Sequence, residues 1–154
     1  MEQLGGRTSG STVVVLLLSA PAGVALWAGD SRLYRLRDGE LVRLSRDHSA
    51  VQEMVEQGLI SQADADVHPK SNVITRAIGG ADGLFVDAAV FAPQHGDTYL
   101  LCSDGLYNEV SPAEIRRWLG ESDPQRAVDG LLALSLERGA RDNVSLIVVK
   151  LRES

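Results

Sequence analysis

Three aspartates in this 154-residue sequence stand beside small or polar residues at the ends of apolar runs: Asp30 in WAGDSR, Asp104 in CSDGL and Asp142 in GARDNVS. Taken singly, each is an ordinary turn residue, because Asp bonds to its own backbone and a neighbouring Gly tolerates positive φ. Taken together they form a pattern. If the strand ends converge, three carboxylates crowd into one volume, which is unfavourable unless they are protonated or neutralised by a cation. A donor set made only of oxygen selects Mg²⁺ or Mn²⁺ over zinc, which takes Cys and His. The single cysteine, Cys102, lies inside an apolar run and reads as inert core. His68 and His95 read as loop residues, and His48, in RDHS ahead of a helix, reads as structural.

The elements that must position these groups follow from periodicity and capping. Residues 13–18 and 24–28 are β-rich apolar runs, RLYRLRDG turns at Asp38-Gly39, and ELVRL follows at once. Connections this short predict an antiparallel meander. Ser49 caps a helix through AVQEMVEQG that stops at Gly58, and SQADAD is a second, shorter helix. VHPKSNVITRAIGGADG reads as a surface connection with one short strand and a Gly-rich end. LFVDAAVFA and DTYLLCS are strands, and Ser103-Asp104-Gly105 is a turn. Ser111 and Asp123, each followed by Pro, cap the helices PAEIRRWLG and PQRAVDGLLALSLERG, and DNVSLIVVKL is a last strand. This order makes an α+β layered protein with mainly antiparallel sheet, folded as one unit. Trp27 and Trp118 fall on apolar faces and belong to the core.

Composition narrows the function classes. A hydrophobic content of 44% at this length supports one core without a second domain. The formal net charge of -6 and pI near 5.0 argue against a duplex nucleic-acid binder, which needs clustered Lys and Arg. One cysteine makes no internal disulfide and points to a reducing, cytoplasmic compartment. TVVVLLLSAPAGVALWAG imitates a signal peptide, but the preceding MEQLGGR has no net positive charge. Pro21 and Gly23 also break the run well short of the roughly 20 residues of a membrane span.

LWAGDSRLYRLRDGELVRLSRDHS, ITRAIG, GDTYLLCSDGLYNEVS and ARDNVSLIVV resemble, in order, successive motifs of the PPM family of metal-dependent serine/threonine protein phosphatases. GSTVVVLLL resembles the family's Gly-Thr-Thr segment, with Ser11 where Thr is usual. The resemblance implies a layered α-β-β-α sandwich, of which residues 1–154 form a single partial domain, incomplete on the N-terminal side. It implies that Asp104 and Asp142 hold one ion of a Mn²⁺ or Mg²⁺ pair and that Asp30 belongs to a third, weaker metal site. Asn143 would orient Asp142 from behind, and Arg32 is read as structural, paired with a nearby acid. The implied reaction is hydrolysis of phosphoserine and phosphothreonine in proteins by metal-activated water, with no side-chain nucleophile.

One departure qualifies this. The family's Asp-Gly-Met-Gly-Gly-His-like motif, whose Asp bridges the two metals, has no counterpart in these residues. The chain is therefore expected to be a truncated form of doubtful activity alone, with exposed sheet edges that invite self-association. The competing reading is a non-catalytic module that binds a phosphoprotein or partner subunit on the same scaffold. Compact, bacterial-like loops imply a phosphatase that opposes a serine/threonine kinase, with neither nucleic acid nor membrane as a partner.

Overall fold

Apolar β-branched runs pair first with their neighbours along the chain. In the computed structural model, which describes residues 9–71, 73–79 and 83–152, Val13–Ser19 (β1) and Ala22–Ala28 (β2) form one hairpin. Arg32–Arg37 (β3) and Glu40–Arg43 (β4) form another. The expected meander is nevertheless divided, because β2 and β3 lie in different sheets. The division falls at Gly29, whose φ of 109° turns the chain out of the first sheet. A side chain there would run into Thr12 as well, so this corner requires glycine.

Asp87–Phe91 (β5) pairs with β2 and completes a three-stranded sheet, β1-β2-β5. Thr98–Cys102 (β6) pairs with β3, and Leu146–Lys150 (β7) pairs with β6, so the second sheet runs β4-β3-β6-β7. All pairings are antiparallel.

Among the described residues, five helices fill the connections: Ala50–Glu56 (α1), Gln62–Asp66 (α2), Asp104–Tyr107 (α3), Pro112–Leu119 (α4) and Pro124–Glu137 (α5). Ser49, Ser111 and Asp123 cap as expected, and Ser61 adds a capping box to α2. Two details differ from the sequence reading. Ser103-Asp104-Gly105 opens α3 rather than forming a plain turn, since a four-residue helix is too short to show a 3.6-residue period. The connection before β5 contains isolated bridges, Ser49 with Ile74 and Ser11 with Ile78, where one short strand is expected. Residues 80–82 of its Gly-rich end lie outside the described residues.

β6 separates two cores. Leu100 and Cys102 join Tyr34, Leu36, Leu106 and Leu131 beneath the helices, while Tyr99 and Leu101 join Ala25, Trp27 and Leu33 between the sheets. Burial on both faces lets the strand be uniformly apolar instead of alternating. Each fully buried leucine contributes about 2 kcal/mol. In the helical layer, Gly130 of α5 lies against the Trp118 ring, a place where a Cβ would overlap it.

The outer face of β1-β2-β5 is different. Leu17 and Val90 stand exposed on its strands, and no described helix packs extensively against it. The layering is thus helix, sheet, sheet, a partial form of the expected four-layer sandwich.

At the far end of β3, the buried Asp97 pairs with the partly exposed Arg37 at Nε–Oδ1 and Nη2–Oδ2 distances of 2.7 and 2.8 Å. Tyr99 OH (2.7 Å) and the Gln94 amide (2.8 Å) also donate to Asp97.

Candidate metal centre

Sheet order brings the three aspartates together. Asp30 follows the corner at the end of β2, Asp104 follows β6, and Asp142 precedes β7. Since β3, β6 and β7 are adjacent in one sheet, these positions share one end of it. All three residues line a single cavity, together with Asp66, Glu109 and Arg141. Asp66 and Glu109 were not singled out from sequence. Each sits at a helix end that faces the cavity only through long-range packing, so no local pattern marks them.

The cavity is strongly acidic. Burial, followed by repulsion from Asp104 and Asp47, pushes the Asp30 carboxyl up to about 6, and Asp30 is only 7% exposed. Burial, then Asp142, raises Asp104 as well. Nearby cations are already paired. Arg32 donates through Nε and Nη2 to Asp47 at 3.0 and 2.6 Å, and its guanidinium lies 3.5 Å from the Tyr107 ring centroid. This is the structural pairing expected of Arg32. Arg141 Nε donates to Glu109 at 2.9 Å. An adjoining hollow, lined by Arg32, Tyr34, Asp47, Gln52 and Tyr107 among others, holds the Arg32–Asp47 pair.

A buried Asp30 and a half-buried Asp104, both raised by burial and by neighbouring carboxylates, are in the state that a divalent cation relieves. Among the described residues, no three His, Cys, Asp or Glu side chains form a group that could hold a metal by themselves. The carboxylates lining the cavity offer oxygen donors only, which suits a hard cation that keeps several waters and does not suit a closed structural zinc site.

Local bonding holds the cavity wall. The Asn143 amide donates to Asp142 Oδ1 at 2.7 Å. Ser103 Oγ donates to the Asn143 carbonyl at 3.1 Å and accepts from the Ser145 amide at 3.0 Å. Gly105 completes the contact: a Cβ there would overlap the Asn143 carbonyl, so the Gly after Asp104 serves close approach of α3 to residues 142–143. On the other side, Tyr107 OH donates to the Asp30 carbonyl at 2.8 Å.

The remaining candidates stay apart from the cavity. Cys102 is buried, and burial pushes its thiol up to about 12. His48 has both ring nitrogens engaged, Nδ1 by the Gly29 amide (3.1 Å) and Nε2 by Asp87 Oδ2 (3.0 Å). His68 Nδ1 accepts from the Lys70 amide within its own loop.

No family model matches the chain, but individual proteins do. The serine/threonine phosphatase stp of Listeria innocua is 35% identical over 142 residues, which is 92% of this chain and 56% of that protein. The solved structure of PppA, a key regulatory component of T6SS in Pseudomonas aeruginosa, is 45% identical with a TM-score of 0.83, covering 92% of this chain and 57% of that one. The catalytic domain of the phosphatase PstP, in complex with two manganese ions, is 33% identical with a TM-score of 0.83, covering 94% and 60%. The chain thus spans little more than half the length of these relatives. Motif order, sheet arrangement and relatives agree that, over the portion of the domain it represents, this chain is similar to the serine/threonine phosphatases of the PPM family.

Proposed function

We propose that the chain forms the carboxylate side of a metal-dependent protein serine/threonine phosphatase centre, acting on phosphoserine and phosphothreonine in proteins. The observation that carries this reading is the meeting of Asp30, Asp104 and Asp142 in one acidic cavity, in a chain whose relatives are phosphatases. Asp104 and Asp142 would hold one Mn²⁺ or Mg²⁺, and Asp30 would serve a weaker neighbouring site. When bound, such a metal lowers the pKa of its water and offsets charge on phosphoryl oxygens. The chain's own part is positional. Asn143 fixes Asp142 through its amide, and Gly105 lets α3 carry Asp104 against the same loop. Neither Cys102 nor His48 is needed as a nucleophile.

On this reading a serine/threonine kinase installs the phosphate, and the work is cytoplasmic. No described helix is long and apolar enough to cross a membrane. Self-association belongs to the same proposal: among the described residues β1 is an edge strand, and its sequence, VVVLLLS, has neither charge nor Pro to blunt pairing.

The test is phosphate release from a phosphothreonine peptide by this chain and by Asp104→Ala. Release that requires Mn²⁺ and falls about tenfold or more in the variant supports the reading, whereas equal release by both overturns it. The exposed apolar face of β1-β2-β5 favours a second reading, a module that binds a phosphoprotein or partner subunit. That reading expects peptide binding without release.

A further inference from the structure

The corner that carries Asp30 combines an unusual backbone with dense bonding. Gly29 has φ 109°, its amide donates to His48 Nδ1 at 3.1 Å, and its carbonyl accepts from the His48 amide at 2.9 Å. His48 is 6% exposed. Its ring stacks on Trp27 at 6.4 Å between centroids, and Trp27 Nε1 donates to the Arg46 carbonyl at 2.7 Å. The segment from Ser45 to His48 therefore straps the corner in place, aided by the Leu33 amide donating to Ser45 Oγ at 2.9 Å.

The two ring nitrogens have different partners. Accepting from a peptide N–H requires a lone pair on Nδ1, so the proton resides on Nε2 and is donated to Asp87 Oδ2 at 3.0 Å. Asp87 is half-exposed and also pairs with Arg76 at 3.2 Å. A histidine kept only to fill space has no use for this division of roles.

We propose that His48 is a positioning residue: its Nδ1 acceptor holds the Gly29–Asp30 corner so that the Asp30 carboxylate is presented to the cavity shared with Asp104, and Asp87 fixes the tautomer that makes this possible. The proposal rests on the metal-centre reading given above. It assigns His48 no contact with substrate.

Three substitutions separate positioning from mere filling. His48→Asn places an oxygen near the Nδ1 position and keeps an acceptor for Gly29. His48→Gln reaches toward Asp87 but leaves the Gly29 amide unpaired, and His48→Ala does neither. Two readouts apply to each: hydrogen exchange at the Gly29 amide, and Mn²⁺ affinity by calorimetry, with Asp104→Ala alongside. His48→Gln and His48→Ala are expected to speed exchange and weaken Mn²⁺ binding about tenfold, while His48→Asn stays within about threefold of the unmodified chain. Equal losses in all three variants, or unchanged affinity in His48→Ala, overturn the proposal. Should His48→Ala fail to fold, Asp87→Asn tests the tautomer from a half-exposed position: weaker Mn²⁺ binding supports the role and unchanged binding overturns it. If Asp104→Ala binds Mn²⁺ as well as the unmodified chain, the metal reading itself fails. The Gly29 exchange pattern then decides the role of His48 alone.

Discussion

Two buried aspartates near opposite ends of β3 meet desolvation in opposite ways. Burial raises Asp97, but donors from Arg37, Tyr99 and the Gln94 amide outweigh it and hold the group down at about 2. Asp30 is also buried, yet its own amide and the more distant Arg32 offset burial only in part, and it stands at about 6. Pairing, rather than burial, distinguishes them. Asp97 belongs to the scaffold, held by donors on several sides, whereas Asp30 and Asp104 carry an electrostatic deficit of the kind an added cation would offset.

The largest expected effect comes from breaking the satisfied member. Asp97→Ala leaves the buried Tyr99 hydroxyl and the Gln94 amide without their acceptor and Arg37 without its carboxylate, and should cost about 3 kcal/mol in urea unfolding, with Mn²⁺ affinity unchanged. A loss below about 1 kcal/mol would place Asp97 among surface pairs and dissolve the contrast.

Next comes the unsatisfied member. Asp30→Asn should raise the stability of the metal-free chain at pH 7.5 by about 2 kcal/mol, since it removes a carboxylate whose ionisation the fold opposes. Loss of stability in that variant would mean Asp30 is already paired.

The same contrast predicts opposite pH slopes. Asp97 is lowered from 3.8 to about 2, so its contribution is present above pH 4 and is lost as pH falls toward 2. Asp30 is raised from 3.8 to about 6, so its contribution is complete below about pH 4 and is lost as pH rises through about 6. Urea midpoints between pH 3 and pH 8 should therefore decline from about pH 4 to 6, and Asp30→Asn should flatten that decline. An unaltered slope in the variant would refute the assignment.

The smallest effect concerns the ion itself. Asp104→Ala and Asp142→Ala should each weaken Mn²⁺ or Mg²⁺ binding about tenfold, equal to about 1.4 kcal/mol. Calorimetric titration of both variants reads this directly, and unchanged affinity in both sinks the assignment of these ligands.

Much of this arrangement is legible in the sequence, for identifiable reasons. Asp104 and Asp142 stand out because Asp beside Gly or Asn at the end of an apolar strand is a local signal, and short links, Asp38-Gly39 above all, make the β1-β2 and β3-β4 hairpins readable. What is lost is whatever depends on distance along the chain or on one dihedral angle. Arg37 and Asp97 are 60 residues apart, and each alone reads as an ordinary strand or turn residue. The separation of β2 and β3 into different sheets turns on the φ of Gly29, which WAGDSR spells no differently from a simple hairpin. His48 is legible as structural, but its two hydrogen bonds reach Gly29 and Asp87, 19 and 39 residues away.

The chain has two tryptophans, and the fold assigns one to each core. Trp27 lies in the core between the sheets, and Trp118 packs against the core beneath the helices. The intrinsic emission of the chain is therefore a two-channel record of its layers. Trp118→Phe leaves a fluorophore whose indole N–H is tied to the strap beside Asp30, and Trp27→Phe leaves one that reports the contact between α4 and Gly130 of α5. Compared during unfolding, the two signals time the parting of the sheets against the peeling of the helices, with no external label.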